Sequence, residues 1–257
     1  MMTEYKKLNN LSGWITFLIA LVVYAITVED TASFWDAGEF IAVSSKLEVP
    51  HPPGAPFYLL LGRFFSMFAF GIPENIAHAI NFLSVISSAF TILFLFWTIT
   101  YLSSKIINPN ENQNNKSLVI LSGFIGSLSF TFTDSFWFSA VESEVYAMSS
   151  FFTAFVFWAI LKWESLNDRQ EENKWIILIA YMMGLSIGVH LLNLVTIPAL
   201  ALIIYFKKYK KTTIGGIATS LIFGLICVGF IVEGIIPGIP TLANSLEILF
   251  VNNFNLP

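Results

Sequence analysis

"IAHAINFLSVISSAFTILFLFWTITYLSS" occupies residues 76–104 and contains no Lys, Arg, Asp or Glu. A bilayer core about 30 Å thick needs roughly 20 apolar residues in a helix, and backbone polar groups in lipid have to be satisfied within the segment. The stretch therefore reads as a transmembrane helix. On either side of it, residues 12–28, 117–133, 143–162, 175–189, 191–206 and 212–232 approach the same length. The fifth and sixth of these segments in chain order meet at His190 and read as a hairpin that need not cross fully. Composition agrees, with 56% hydrophobic and 12% charged residues, far from the balance of a soluble domain. The fold class expected is an all-α integral membrane protein with about seven transmembrane helices.

The first segment, "GWITFLIALVVYAITVED", has too long an apolar run for a signal peptide and no small-x-small cleavage site after it, so it reads as a retained anchor. Cys227 is the one cysteine, which excludes an internal disulfide. Cytoplasmic loops collect Lys and Arg. With the N-terminus cytoplasmic, all but two of the 13 basic residues lie inside, the exceptions being Lys46 and Arg63. The opposite face then holds Glu29, Asp30, Asp36, Glu39, Glu48, Glu74, Asp134, Glu142 and Glu144. This asymmetry gives no reason to invoke nucleic acid. The polar run "NPNENQNNK" reads as a flexible cytoplasmic turn.

The first outer loop, residues 29–75, is not built like a linker. "TASFWDAGEFIAVSSKL" has helical spacing, with Phe34, Ala37, Phe40, Ile41 and Ser44 along one side and Ser33 as its expected N-cap. "HPPG" then turns the chain, and Pro56 is placed to open a second helix, "PFYLLLGRFFSMFAF", short for a span and suited to the membrane interface.

"FWDAGEF", "HPPGAPFYLLLGRFF", "FWFSAVESEVYAMSSFF" and "GLSIGVHLLNL", in that order after a first span, resemble a membrane family formerly known only as a domain of unknown function. That family is now placed with the protein O-mannosyltransferase-like enzymes of the GT-C glycosyltransferase class. The resemblance covers nearly the whole chain. It implies a GT-C-like helical bundle, a sugar donor carried on a polyprenyl phosphate, and an acid in the first outer loop near the reaction centre, here Asp36. Relatives of this kind continue into further spans and a soluble outer domain. Residues 1–240 are therefore expected to form the transmembrane catalytic module, and 241–257 an outer segment leading into a missing C-terminal part.

Two readings stand beside each candidate residue. Asp36 and Glu39 share a helix face, as a general base and its supporting partner would, and acids in a first turn also simply favour the helix dipole. His51 is either a positioned donor or part of a stiff turn. Arg63 is expected to pair with Glu39 or Glu74, or to hold the carrier phosphate. Glu142, Glu144 and Tyr146 are candidate substrate-binding residues, although Glu142 also follows Ser139 at capping-box spacing. Glu144, two residues on, should point away from it on a helix, turning with Tyr146 toward the bundle. His190, beside Asn193, is a candidate contact for phosphate or sugar. Asp36, Glu39, His51 and Glu144 could gather a divalent ion, although no ligand spacing demands one and no cofactor is required.

The function expected from the resemblance is transfer of mannose or a similar hexose from a polyprenyl-phosphate donor to a Ser or Thr hydroxyl of an exported protein. Asp36 would act as base, with inversion at the sugar. The active site would face the periplasm or the lumen of an endoplasmic-reticulum-type membrane. The alternatives are a multi-pass transporter or a non-catalytic membrane assembly subunit. Transporters place their sites near the bilayer midplane, whereas the acids here gather at one surface.

Overall fold

The computed structural model describes residues 4–254. These are helical almost throughout: α1 (Glu4–Ile26), α2 (Ala37–Lys46), α3 (Pro56–Ser66), α4 (Ile76–Ile106), α5 (Gln113–Thr131), α6 (Asp134–Val141), α7 (Val145–Glu164), α8 (Arg169–Ile187), α9 (Ile197–Lys208), α10 (Ile214–Gly229) and α11 (Ile236–Phe254). The chain packs as two compact units, divided between Asn193 and Leu194.

Among the described residues, five helical stretches are long and apolar enough to cross a bilayer: Glu4–Ile26, Pro73–Ile106, Val145–Glu164, Leu191–Lys208 and Ile214–Phe254. The pair α5 and α6, bent by 67°, makes a sixth if it counts as one broken span. The chain is thus an all-α membrane protein, with five or six bilayer-length helices among the described residues where the sequence suggests about seven. The differences are α8 and, where the bent pair is not one span, α5. The first two turns of α8 carry Arg169, Glu171, Glu172 and Lys174, leaving an apolar part about 20 Å long at 1.5 Å per residue, short of the hydrocarbon thickness.

In the first unit α4 is the central post, packed against α1, α5 and α7. One cluster joins Phe40 and Val43 of α2 and Tyr58 and Leu59 of α3 to Leu83 of α4 and Met148 and Phe152 of α7. A second joins Ala20 and Tyr24 of α1 to Val85 and Ala89 of α4 and Phe136 and Ala140 of α6. The hydroxyl of Tyr24 donates to the Thr131 carbonyl at 2.9 Å, satisfying an acceptor freed at the bend between α5 and α6.

The connection between α1 and α4 folds much as its sequence suggests. Pro56 stands in the first turn of α3, where its missing N–H costs nothing, and the N–H groups of Phe57 and Tyr58 donate to the Gly188 carbonyl at 2.7 and 3.3 Å. Helices α2 and α3 meet at Gly62, where a Cβ would lie 2.6 Å from Ser44 Oγ. Ser33 does not cap α2. The residue preceding that helix is Asp36, whose side chain caps nothing, because the Ser33 hydroxyl is drawn to Glu142.

In the second unit α9 and α10 pack together, with Gly224 so close to Pro198 that a Cβ would lie 2.6 Å from its Cα. A π-helical turn at Phe230–Ile235 joins α10 to α11, so residues 241–254 continue a helix.

Candidate active site

The site begins at a break. Between α6 and α7 the chain leaves the helix at Glu142 (φ −130°, ψ 164°) and Glu144 (φ −125°, ψ 149°), and it turns tightly at Ser143, the Glu144 N–H donating to the Glu142 carbonyl at 2.9 Å. Helical spacing predicts opposite directions for these acids, and the structure corrects this. Both turn inward, Glu142 at 2% and Glu144 at 4% exposure. Ser139, which donates back to the Ser135 carbonyl within α6, makes no capping box with Glu142. Tyr146 lies inside α7 and is exposed, its ring 5.5 Å from that of His190, so it does not turn inward with Glu144.

The two acids hold the segment before α2. Glu142 accepts the Ser33 hydroxyl, and Glu144 accepts the backbone N–H of Asp36 at 3.1 Å. Higher in the same connection, the Glu29 N–H donates to the Val141 carbonyl at 3.0 Å. Asn81, fully buried on α4, donates to the carbonyls of Glu29 (2.7 Å) and Thr31 (3.1 Å) and accepts the Ser143 hydroxyl. Trp35, between these anchors, has a φ of 59°, a left-handed conformation that costs a bulky residue on the order of 1–3 kcal/mol and persists only where its surroundings enforce it.

So placed, Asp36 presents a carboxylate that is 56% exposed, 3.9 Å from His51 Nε2. Glu39 grips His51 twice, accepting its backbone N–H at 2.7 Å and lying 2.8 Å from Nδ1. The turn from His51 to Gly54 is closed by the Gly54 N–H donating to the His51 carbonyl at 3.0 Å. Glycine suits that position, where φ is +75°.

The electrostatics follow from these contacts. The hydrogen bond to Glu39 raises the His51 pKa, and the charges of Glu39, Asp36 and Glu144 add to it. The reciprocal hydrogen bonds lower Glu39. Burial raises Glu142 and pushes Glu144 up to about 7. Asp36, Glu39 and His51 bring one ligand atom each to within 4.8 Å of one another, the spacing of a possible cation site. Glu144 is not among them; its Oε1 accepts the Asp36 N–H.

The remaining candidates lie apart. The Arg63 guanidinium donates to the Ser45 carbonyl, at the end of α2 opposite Asp36, roughly 14 Å away along the helix. Among the described residues it pairs with neither Glu39 nor Glu74. His190 accepts the Leu192 N–H on Nδ1 at 3.1 Å, and burial lowers its pKa. Asn193 donates to the Ser186 hydroxyl at 2.9 Å. Sequence reasoning missed Asn81 and Ser143. The signal for Asn81 was a polar stripe, Asn81, Ser84 and Ser88, at helical spacing within an apolar span.

The helices and this surface cluster define a membrane protein with ionisable chemistry at one end of its bundle. The family model described as the protein O-mannosyl-transferase TMEM260 N-terminal domain matches residues 36–213, more than half of the chain, and the chain belongs to that family. The protein O-mannosyl-transferase tmem260 of Dictyostelium discoideum is 29% identical over 195 residues, 71% of this chain and 22% of that protein. The protein O-mannosyl-transferase TMEM260 of Mus musculus is 24% identical over 172 residues, 66% of this chain and 22% of that protein. The chain thus spans about a fifth of the length of these relatives. No solved structure matches it.

Proposed function

We propose that the chain is the N-terminal, membrane-embedded part of a glycosyltransferase that moves mannose, or a similar hexose, from a polyprenyl-phosphate donor to a Ser or Thr hydroxyl of an exported protein. Residues 1–240 form its catalytic module, acting at the periplasmic or lumenal face with the N-terminus in the cytoplasm. A donor whose tail lies in lipid presents its phosphate and sugar at the surface, where the acid cluster also lies on this topology.

The observation that carries the reading is the exposed Asp36 carboxylate, fixed through its own amide by Glu144. Asp36 takes the proton from the acceptor hydroxyl as that oxygen attacks the anomeric carbon, and the carbon–phosphate oxygen bond breaks on the opposite side with inversion. A positioned base contributes typically 10²–10⁴-fold. His51, raised by Glu39, keeps its proton to higher pH and offsets negative charge gained by the departing phosphate. This reading gives Arg63, which donates to the Ser45 carbonyl at the far end of α2, no part in the step.

The test is transfer of labelled mannose from a polyprenyl-phosphate donor to a Ser/Thr peptide, in membranes carrying the protein. Asp36→Asn should reduce transfer about 10²-fold or more with donor binding retained. Near-normal transfer by the variant would leave Asp36 a structural acid, and no transfer by the unaltered protein would overturn the activity itself.

A further inference from the structure

Away from the Asp36 cluster, a cavity of about 740 Å³ opens between α3, its following turn and α4. Its α4 wall is one face of the helix: Asn75, just before α4, then the adjacent His78 and Ala79, then Phe82 and Ile86 lie along one side, over about 16 Å of helix rise. Polarity changes along that wall. At the Asn75 end stand Asp30, Glu74 and His78, with the His78 ring nitrogen Nδ1 donating to Asp30 at 3.0 Å. At the Ile86 end the wall is apolar. The opposite wall is a corner of three phenylalanine rings set edge to face: Phe64 and Phe65 at 6.0 Å, Phe64 and Phe68 at 5.4 Å, Phe65 and Phe68 at 5.9 Å.

A cavity this long, polar at one end and apolar at the other, has the shape of an amphiphile, and its size is that of a small-molecule site. Charge selects the headgroup. Two carboxylates stand at the polar end, and among the described residues no Lys or Arg lines the cavity. A phosphate with no accompanying cation would meet repulsion there. Aromatic faces grouped beside carboxylates attract an ammonium, whose charge interacts with the ring quadrupoles. We propose that this cavity binds a zwitterionic phospholipid, with its ammonium between Glu74, Asp30 and the phenylalanine corner, its phosphate toward water and one acyl chain along Phe82 and Ile86. The site is separate from the transferase reading and stands or falls without it.

The test is lipid retention measured by native mass spectrometry, with the protein in non-ionic detergent and phosphatidylcholine or phosphatidylglycerol of matched chains added. Phosphatidylcholine should be retained about threefold to tenfold more strongly, the range of one cation–π and carboxylate contact. Glu74→Gln, at an exposed position, and Phe68→Leu, which keeps apolar bulk but removes the ring, should each erase most of that preference, Phe68→Leu by lowering phosphatidylcholine retention alone and Glu74→Gln also by raising phosphatidylglycerol retention as the repulsion falls. Equal retention of the two lipids by the unaltered protein would overturn the proposal. So would a preference that survives the Glu74→Gln/Phe68→Leu double variant, because the ammonium would then be recognised elsewhere.

Discussion

Glu144 accepts the backbone N–H of Asp36 at 3.1 Å across 108 residues of intervening chain. A buried carboxyl at the end of α6 and α7 thereby fixes where α2 begins, and with it the position of the exposed carboxylate proposed to act as base. The carboxyl is costly to ionise there, which makes the arrangement sensitive to pH.

Burial pushes Glu144 up from the 4.5 of a free side chain to about 7. Between those values the folded protein holds a proton that the unfolded chain has released, so stability falls as pH rises from about 4.5 to 7 and is flat above. Glu144→Gln keeps the acceptor oxygen without the charge. Thermal unfolding of the variant should show a weaker pH dependence over that window and a gain at pH 8 on the order of 2 kcal/mol.

Ser33→Ala removes the hydroxyl that Glu142 accepts and leaves a nearly fully buried carboxyl short of a partner. The loss should be about 1–3 kcal/mol in chemical denaturation. Ser33→Thr, which retains the hydroxyl, should recover most of it.

The pair Glu39 and His51 gives a titration that can be read directly. Because the hydrogen bond to Glu39 is the leading cause of the raised His51 pKa, Glu39→Gln should lower it. The imidazole resonances of His51 followed by NMR would then move at lower pH than in the unaltered protein. The stability this pair adds is lost as pH rises through the raised folded value of His51, and lost at the acid end as pH falls through the lowered folded value of Glu39.

Arg63→Met should weaken the C-terminal end of α2 by about 0.5–1 kcal/mol, the loss of a cation on terminal carbonyls. Hydrogen exchange at Ser45–Glu48 should speed up while mannose transfer stays within about twofold. A large loss of donor affinity would instead give Arg63 a role with the phosphate.

Much of this architecture could be read from local signals. The run 76–104 is apolar enough to mark α4 and Pro56 marks the start of α3, whereas the contact between "DAGE" and "HPPG", made through Glu39 and His51, has no such local signal. What failed was periodicity applied across a break. A helix running through Glu142 and Glu144 would make them diverge, and they both turn inward because the helix breaks there, the chain turning at Ser143. Asn81 was hidden by its apolar neighbours, since its partners are backbone carbonyls some 50 residues earlier that no pattern of side chains reveals. The apolar tail of α8 is short enough in the sequence to read as half of a hairpin that need not cross, and only α9, with the turn before it, reaches bilayer length.

Helix α2 is tied at both ends, by Glu144 at the Asp36 amide and by Arg63 at the Ser45 carbonyl, and it rests on α3 at Gly62. With Phe40 and Val43 keyed into the core, the rod is held against rolling as well as swinging. Asp36 and Glu39 reach the same imidazole from it, so the acids and His51 work like fixed jaws, whose gap is set by the bundle beneath them.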